Sequence, residues 1–374
     1  MPAMGVPFLD LRASYTELRG ELDEAVGGTL DRGWYILGPQ VADFEGEFGR
    51  HTGSKHCVGM GNGLDALHLT LRAWGVGPGD EVLVPSNTYI ACWLAVTMAG
   101  ATPVAVEPDP ATHTLDASRV AAAMTRHTKA VMPVHLYGLP CDMDAIRAVV
   151  KEKDVRILED AAQAHGARYK QRPVGSLGDA AAWSFYPSKN LGAYGDAGAV
   201  TTDDPALAAR LRLLRNYGSP KKYVNDVAGY NSRLDELQAA MLRVRLRHLD
   251  AWNTRRKAIA GRYLKELRDA PGVGLPSVPA WADPCWHLFV VTHPKRDALQ
   301  ARLAKAGVET LIHYPIPPHL SGAYRDQPWT PAPGSLPIAE RLAQQVLSLP
   351  IGPHLPGEAV DQVIDTVRQA CQGL

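Results

Sequence analysis

Apolar residues in this chain fall into short continuous runs separated by longer windows of helical spacing, and the two periods alternate. The runs at 81–85, 102–106, 130–135, 155–160 and 181–185 are rich in Val, Leu, Ile and Ala and are bounded by Pro, Gly or charged residues, as strands buried on both faces are. Between them, residues 90–99, 117–124 and 143–153 space their apolar positions as helices do. Strand and helix in alternation predict a largely parallel sheet covered by helices.

Upstream, Ser14-Tyr15-Thr16-Glu17 has the form of a capping box and predicts a helix running to about Leu30. Residues 41–52 carry Val41, Phe44 and Phe48 at helical spacing and stop before Gly53, and a short strand follows at 56–58. Downstream, residues 205–214 read as a helix, and a long helical stretch, broken or not, covers 234–267. Strand material recurs at 286–291 and 310–313, and the amphipathic series Ala359, Val360, Val363, Ile364, Val367 and Ala370 closes the chain. The 374 residues exceed one ordinary core, so the expected division is a large domain over 1–250 and a smaller α+β domain over 251–374.

Composition narrows the function. With 39 basic and 39 acidic residues the formal net charge is +0, so no basic field argues for nucleic acid or an anionic membrane, and any anion site is local. The N-terminal residues lack a basic start followed by an apolar core, and no apolar run is long enough to cross a bilayer, which gives the expectation of a soluble cytoplasmic protein. Five scattered cysteines without C-x-x-C spacing argue against a disulfide framework and against zinc, and His313 and His319 lack a third ligand, so no metal is expected.

Four stretches carry candidate chemistry. Gly59-Met60-Gly61-Asn62-Gly63-Leu64 is a glycine-rich turn opening a helix: either a plain connection, or a cradle in which unpaired helix N–H groups meet a phosphate. Asp160 ends a buried strand, where a carboxylate needs a partner, either a cationic ligand nitrogen or a loop amide. The basic, aromatic stretch Arg215-Asn216-Tyr217 through Lys221-Lys222-Tyr223 is either a solvated loop or a phosphate contact. Lys189 lies in a loop bounded by Pro187, Gly192, Gly195 and Gly198, directly after the strand at 181–185. It either extends its amine to solvent or is held desolvated, with the amine shifted toward its neutral, nucleophilic form.

Taken in order, the glycine turn, Tyr89 after a strand, Asp160 and Ser184-Phe185-Tyr186-Pro187-Ser188-Lys189 resemble the fold-type-I pyridoxal-phosphate enzymes. The likeness is closer to the DegT/DnrJ/EryC1/StrS sugar aminotransferases. It runs from Pro7-Phe8-Leu9-Asp10-Leu11 through Glu159-Asp160-Ala161-Ala162-Gln163-Ala164-His165-Gly166 and Asn231-Ser232-Arg233 to His313-Tyr314-Pro315. The resemblance implies that Lys189 bonds covalently to pyridoxal 5'-phosphate and later carries a proton to and from the substrate carbon. It implies that Asp160 holds the pyridine nitrogen, Gln163 the ring hydroxyl and Tyr89 the ring face, while Ser184 and the backbone of Gly63 and Leu64 take the phosphate. It implies further that Asn231 reaches the phosphate from a neighbouring subunit, making a homodimer with shared sites, and that Lys221, Tyr223, His313 and Tyr314 lie near the substrate diphosphate.

Gly61-Asn62-Gly63-Leu64 stands where the family has Ser-Gly-Thr, which puts a threonine hydroxyl contact in question and leaves backbone contacts open. A dehydrating branch of the family has histidine at the lysine position, so Lys189 points to transamination. The wording of residues 61–67 and 85–91 is similar to members that aminate C3 of dTDP-linked 3-keto-6-deoxyhexoses with nitrogen from L-glutamate. A 4-keto-sugar or cyclitol aminotransferase, and a cofactor-binding regulator without turnover, stand as alternatives.

Overall fold

In a computed structural model, residues 5–374 are described. Twelve helices are α1 (Leu11–Arg32), α2 (Pro39–Thr52), α3 (Gly63–Ala73), α4 (Ala91–Met98), α5 (Ala117–Ala123), α6 (Met143–Val150), α7 (Pro205–Leu214), α8 (Glu236–Leu246), α9 (Leu249–Glu266), α10 (Arg296–Lys305), α11 (Pro337–Gln345) and α12 (Gly357–Cys371). The strands are β1 (His56–Met60), β2 (Glu81–Pro85), β3 (Thr102–Val106), β4 (Thr128–Val131), β5 (Arg156–Asp160), β6 (Arg168–Tyr169), β7 (Arg172–Pro173), β8 (Ala180–Ser184), β9 (Gly198–Thr202), β10 (Ala282–Asp283), β11 (Phe289–Thr292) and β12 (Val346–Leu349).

Seven strands form one sheet in the order β1-β9-β8-β5-β4-β2-β3. The segment from β3 to β8 is parallel, with Asp160 in register with Ala182, while β9 pairs antiparallel with both β8 and β1. Ends of β2, β5 and β8 therefore lie along one edge, where ligands of such sheets gather. β9 was not anticipated. Its residues Gly-Ala-Val-Thr-Thr are all buried, so no polar alternation marks it, and it begins on the last glycine of the lysine loop.

Both sheet faces are covered. One carries Phe44, Phe48, Trp183, Phe185 and Ala199, the other Val58, Trp93, Met132, Ala182 and Val200. Phe48 meets the rings of Trp183 and Phe185 edge-on at 5.1 and 5.2 Å, and Phe44 meets Phe185 at 5.4 Å. Each buried aromatic contributes about 1.5–3 kcal/mol, so α2 clamps the end of β8 that delivers Ser184 and the lysine loop. A third cluster joins Val6 to residues between Ile259 and Cys371 around the antiparallel pair β11–β12.

Several boundaries differ from the sequence expectation. Asp10, not Ser14, caps α1, because Asp10 Oδ1 accepts from the N–H groups of Arg12 and Ala13 at 2.9 and 3.2 Å. Ser14 lies inside the helix and donates to the Leu11 carbonyl, and Glu17 leaves the supposed box to bond Arg255, Trp252 and His354. The stretch 310–313 forms no strand, and its backbone pairs with β12 at the Leu311–Ser348 bridge. The stretch 234–267 is broken at Arg247–His248 into α8 and α9.

Candidate active site

Asp160 is the last residue of β5, and both its oxygens are engaged: Oδ1 accepts from Ala162 N–H at 3.1 Å and Oδ2 from the Cys92 thiol at 2.9 Å. Glu159, one residue earlier, points into the opposite layer. There it accepts from the N–H groups of Gly175, Leu177 and Gly178 and from His135 Nε2 at 2.9 Å. The Cys141 N–H is 3.0 Å from His135 Nδ1, so that imidazole accepts there and carries its proton on Nε2, facing Glu159. Four donors on a wholly buried carboxylate fix the strand end that presents Asp160.

Lys189 sits in the turn after β8, with its N–H on the Tyr186 carbonyl at 2.8 Å. The turn is so tight that a Cβ on Gly192 would lie 2.4 Å from the Pro187 carbonyl oxygen. Burial lowers the Lys189 amine from its ordinary value to about 8, and the Asp160 carboxylate pulls the other way. Among the described residues it forms no ion pair. Three histidines around it are held neutral, by burial first and by the lysine's charge second: His165, lowered to about 3, His313, lowered to about 4, and His287, lowered well below its usual value.

The next residue, Asn190, donates to Asn253 Oδ1 and the Cys285 carbonyl, both at 2.9 Å, and its oxygen is 3.2 Å from His287 Nδ1. The lysine loop is thus fastened to α9 and to the segment before β11. Cys92, Asn190 and His287 were not singled out from the sequence. Each acts through a partner far along the chain, and only the adjacency of Asn190 to Lys189 offered a signal.

Gly63 is the first residue of α3, and a Cβ there would be 2.6 Å from Ser184 Cβ, so only glycine lets the helix N-terminus meet the end of β8. Asn62 caps the helix through Asp65 N–H at 2.8 Å. The N–H groups of Gly63 and Leu64 have no acceptor among the described residues. They lie beside the Ser184 hydroxyl, at the positive end of the helix dipole.

Gln163 accepts from Tyr137 N–H at 2.6 Å and donates to the Tyr314 hydroxyl at 3.0 Å, and the Tyr314 ring lies 5.3 Å from that of Tyr89. His313 bonds Ser348 Oγ through Nδ1 at 2.8 Å. Gln163, Tyr89, His313 and Tyr314 therefore form one wall. His319 is bonded to Glu340 at 3.1 Å.

Lys221 and Tyr223 are not brought to this group within one chain. They lie on an exposed loop, with Tyr223 87 % exposed and Lys222 placed over its ring. Asn231 is also exposed, its backbone paired with Asn216, while the adjacent Ser232 accepts from Gly61 N–H at 3.1 Å and donates to Asp65 at 2.7 Å.

The residues fit pyridoxal 5'-phosphate. Unpartnered N–H groups at a glycine-opened helix suit its phosphate, a buried carboxylate suits a protonated ring nitrogen, and a desolvated amine suits its aldehyde.

The pattern of the DegT/DnrJ/EryC1/StrS aminotransferase family matches residues 16–368. A relative from Saccharopolyspora erythraea, called erythromycin biosynthesis sensory transduction protein EryC1, is 58 % identical over 98 % of this chain and 99 % of its own. The dTDP-3-amino-3,4,6-trideoxy-alpha-D-glucose transaminase of Streptomyces venezuelae is 56 % identical over 97 % and 96 %. Among solved structures, S. venezuelae DesV in complex with a ketimine intermediate superposes with a TM-score of 0.97, at 55 % identity and full coverage of both chains.

Proposed function

We propose that this chain, which belongs to the DegT/DnrJ/EryC1/StrS aminotransferase family, moves an amino group from L-glutamate to C3 of a dTDP-linked 3-keto-6-deoxyhexose, yielding a 3-amino-3,6-dideoxy sugar nucleotide. The observation that carries the reading is the Lys189 amine, brought near neutrality at the sheet edge beside Asp160. The choice of C3 is supported by the likeness to the S. venezuelae transaminase, whose name places its amino group at C3. Members of the family depend on pyridoxal 5'-phosphate, which when bound supplies an aldehyde for amines and a ring that withdraws electrons.

The chain's own groups divide the remaining work. The Asp160 carboxylate would hold a proton on the ring nitrogen, and the Gly63 and Leu64 N–H groups with the Ser184 hydroxyl would hold the phosphate. Gln163 would hold the ring hydroxyl, and Tyr89 would pack on the ring. Lys189 Nζ accepts the proton from the amino-bearing carbon of glutamate and, in the second half-reaction, returns one to the sugar carbon. Because the three neighbouring histidines are neutral, Lys189 is the group there that titrates near working pH.

A homodimer with shared sites completes the reading. Asn231, Lys221 and Tyr223 are exposed and lack partners in their own site, which suits delivery to a second copy, and the chain divides near residue 250 into large and small domains. No helix among the described residues is long and apolar enough to cross a membrane, and the proposed setting is the cytoplasm.

The test is incubation of the purified protein with L-glutamate and a panel of dTDP-3-keto sugars, dTDP-4-keto sugars and cyclitol ketones, with the amino position read by NMR. Amination at C3 is expected. Amination only at C4 or of a cyclitol refutes the substrate. The name of the S. erythraea relative favours a second reading, a cofactor-binding regulator, and that reading requires that glutamate produce no 2-oxoglutarate.

A further inference from the structure

The Asp160 carboxylate has a second partner whose placement the reaction does not by itself require. Cys92, in the first turn of α4, is fully buried, and its Sγ lies 2.9 Å from Asp160 Oδ2 and 3.3 Å from Thr88 Oγ1. The thiol has one proton. Burial and the neighbouring carboxylate both hold it protonated, so that proton points at Oδ2 and the Thr88 hydroxyl donates to sulfur. The order of donation is Thr88 to Cys92 to Asp160.

The relay also joins two elements of the site: Thr88 directly precedes Tyr89, which covers the ring pocket, and Asp160 ends β5. We propose that Cys92 is a positioning residue that fixes Asp160 Oδ2 toward the cofactor's ring nitrogen. It rests on the reading of Asp160 as the ring-nitrogen partner.

The reasoning is one of donor strength. Asp160 Oδ1 accepts from the Ala162 N–H and Oδ2 from the Cys92 thiol, and Oδ2 keeps a second lone pair to meet the ring nitrogen. A thiol is a weak donor, so it orients Oδ2 without drawing off much of its charge, and the attraction for a protonated ring nitrogen is retained. Loss of the thiol leaves the carboxylate free to rotate about its terminal torsion. Its rotation weakens only a ligand that has a nitrogen there to hold.

The experiment measures equilibrium binding of pyridoxal 5'-phosphate to the cofactor-free protein, and in parallel of the analogue in which the ring nitrogen is replaced by C–H. With Cys92→Ala, the dissociation constant for the cofactor is expected to rise ~5-fold, the equivalent of one lost hydrogen bond, with no change for the analogue. Cys92→Ser, which keeps the orientation but is a stronger donor, is expected to bind the cofactor more tightly than Cys92→Ala and less tightly than the parent, with no change for the analogue. Thr88→Val, which keeps the shape and removes the first donor, is expected to give a smaller loss of the same selectivity and serves if the alanine variant folds poorly.

Equal weakening of both ligands by Cys92→Ala overturns the proposal, since packing alone then explains it. Asp160→Asn separates the two levels. If it abolishes the preference for the nitrogen-bearing ligand while Cys92→Ala leaves that preference intact, only the role of Cys92 fails. If Asp160→Asn leaves the preference intact, the reading of Asp160 fails and the proposal with it.

Discussion

Capture of the cofactor by the empty protein should follow the ionisation of Lys189, with a midpoint far below that of an ordinary lysine. The amine is brought from 10.5 to about 8 by burial. At pH 7 an amine of pKa 8 is ~10 % neutral, against ~0.03 % for an unperturbed one, a gain of ~300-fold in nucleophile. The cofactor titrates too, so the measurement is a ratio: the rate of absorbance change on mixing pyridoxal 5'-phosphate with the protein, divided by that with N-acetyl-lysine, from pH 6 to 10.

The ratio should be largest and level below about pH 8. It should then fall with rising pH as the model amine, unlike the already neutral Lys189, continues to deprotonate. Asp160→Asn removes a negative charge that favours the ammonium form, so the break in the ratio should move below pH 8. A ratio independent of pH, or a break moved upward by Asp160→Asn, would show that Lys189 is not desolvated as its surroundings require. Stability carries the same sign. Below pH 8 the folded and unfolded states are both protonated at Lys189. Between 8 and 10.5 the unfolded state holds the extra proton, so stability rises with pH across that window, by about 3 kcal/mol relative to Lys189→Met.

Glu159→Ala strips the acceptor from three backbone N–H groups and His135 in a dry interior; breaking such a buried charged network costs about 3–5 kcal/mol, to be read as a lowered denaturant midpoint with loss of cofactor binding. An unchanged midpoint would mean water satisfies those donors. Gly63→Ala drives a methyl to within 2.6 Å of Ser184 Cβ, and the cofactor dissociation constant should rise ~10-fold or more while the fold, followed by circular dichroism, persists. Mixing inactive Lys189→Ala and Asn231→Ala proteins under conditions that exchange subunits should restore about a quarter of parental activity if Asn231 serves the partner's site, and none if it serves its own.

Legibility in the sequence followed how local the determining forces are. The strands β2 and β3 and the helix α7 match their expected bounds, because a short, largely apolar run near Pro and Gly, or an Asp-Pro start, decides them from within. Where two local choices compete, distant contacts decide: both Asp10 and Ser14 could cap α1, and Glu17, needed for the capping box, is instead drawn to Trp252, Arg255 and His354.

The stretch 310–313 has strand composition, yet it pairs only at Leu311. Two residues later the chain turns inward to bring His313 against Ser348 and Tyr314 against Gln163. Side-chain work at the site overrides the β-propensity of the segment that carries it.

The same distinction runs through the site. Lys189, Asp160 and Gly63 stand out as candidates in the sequence because each is announced by its own neighbours: the loop glycines, the end of an apolar run, the opening of a helix. Cys92 and His287 look like core filling in sequence, and their significance lies in bonds to Asp160 and Asn190 across 68 and 97 positions. The proposed cofactor contacts are constrained by backbone geometry and leave a local pattern, whereas a residue proposed to orient them needs only a donor at the right point in space, which many sequences can supply from many places.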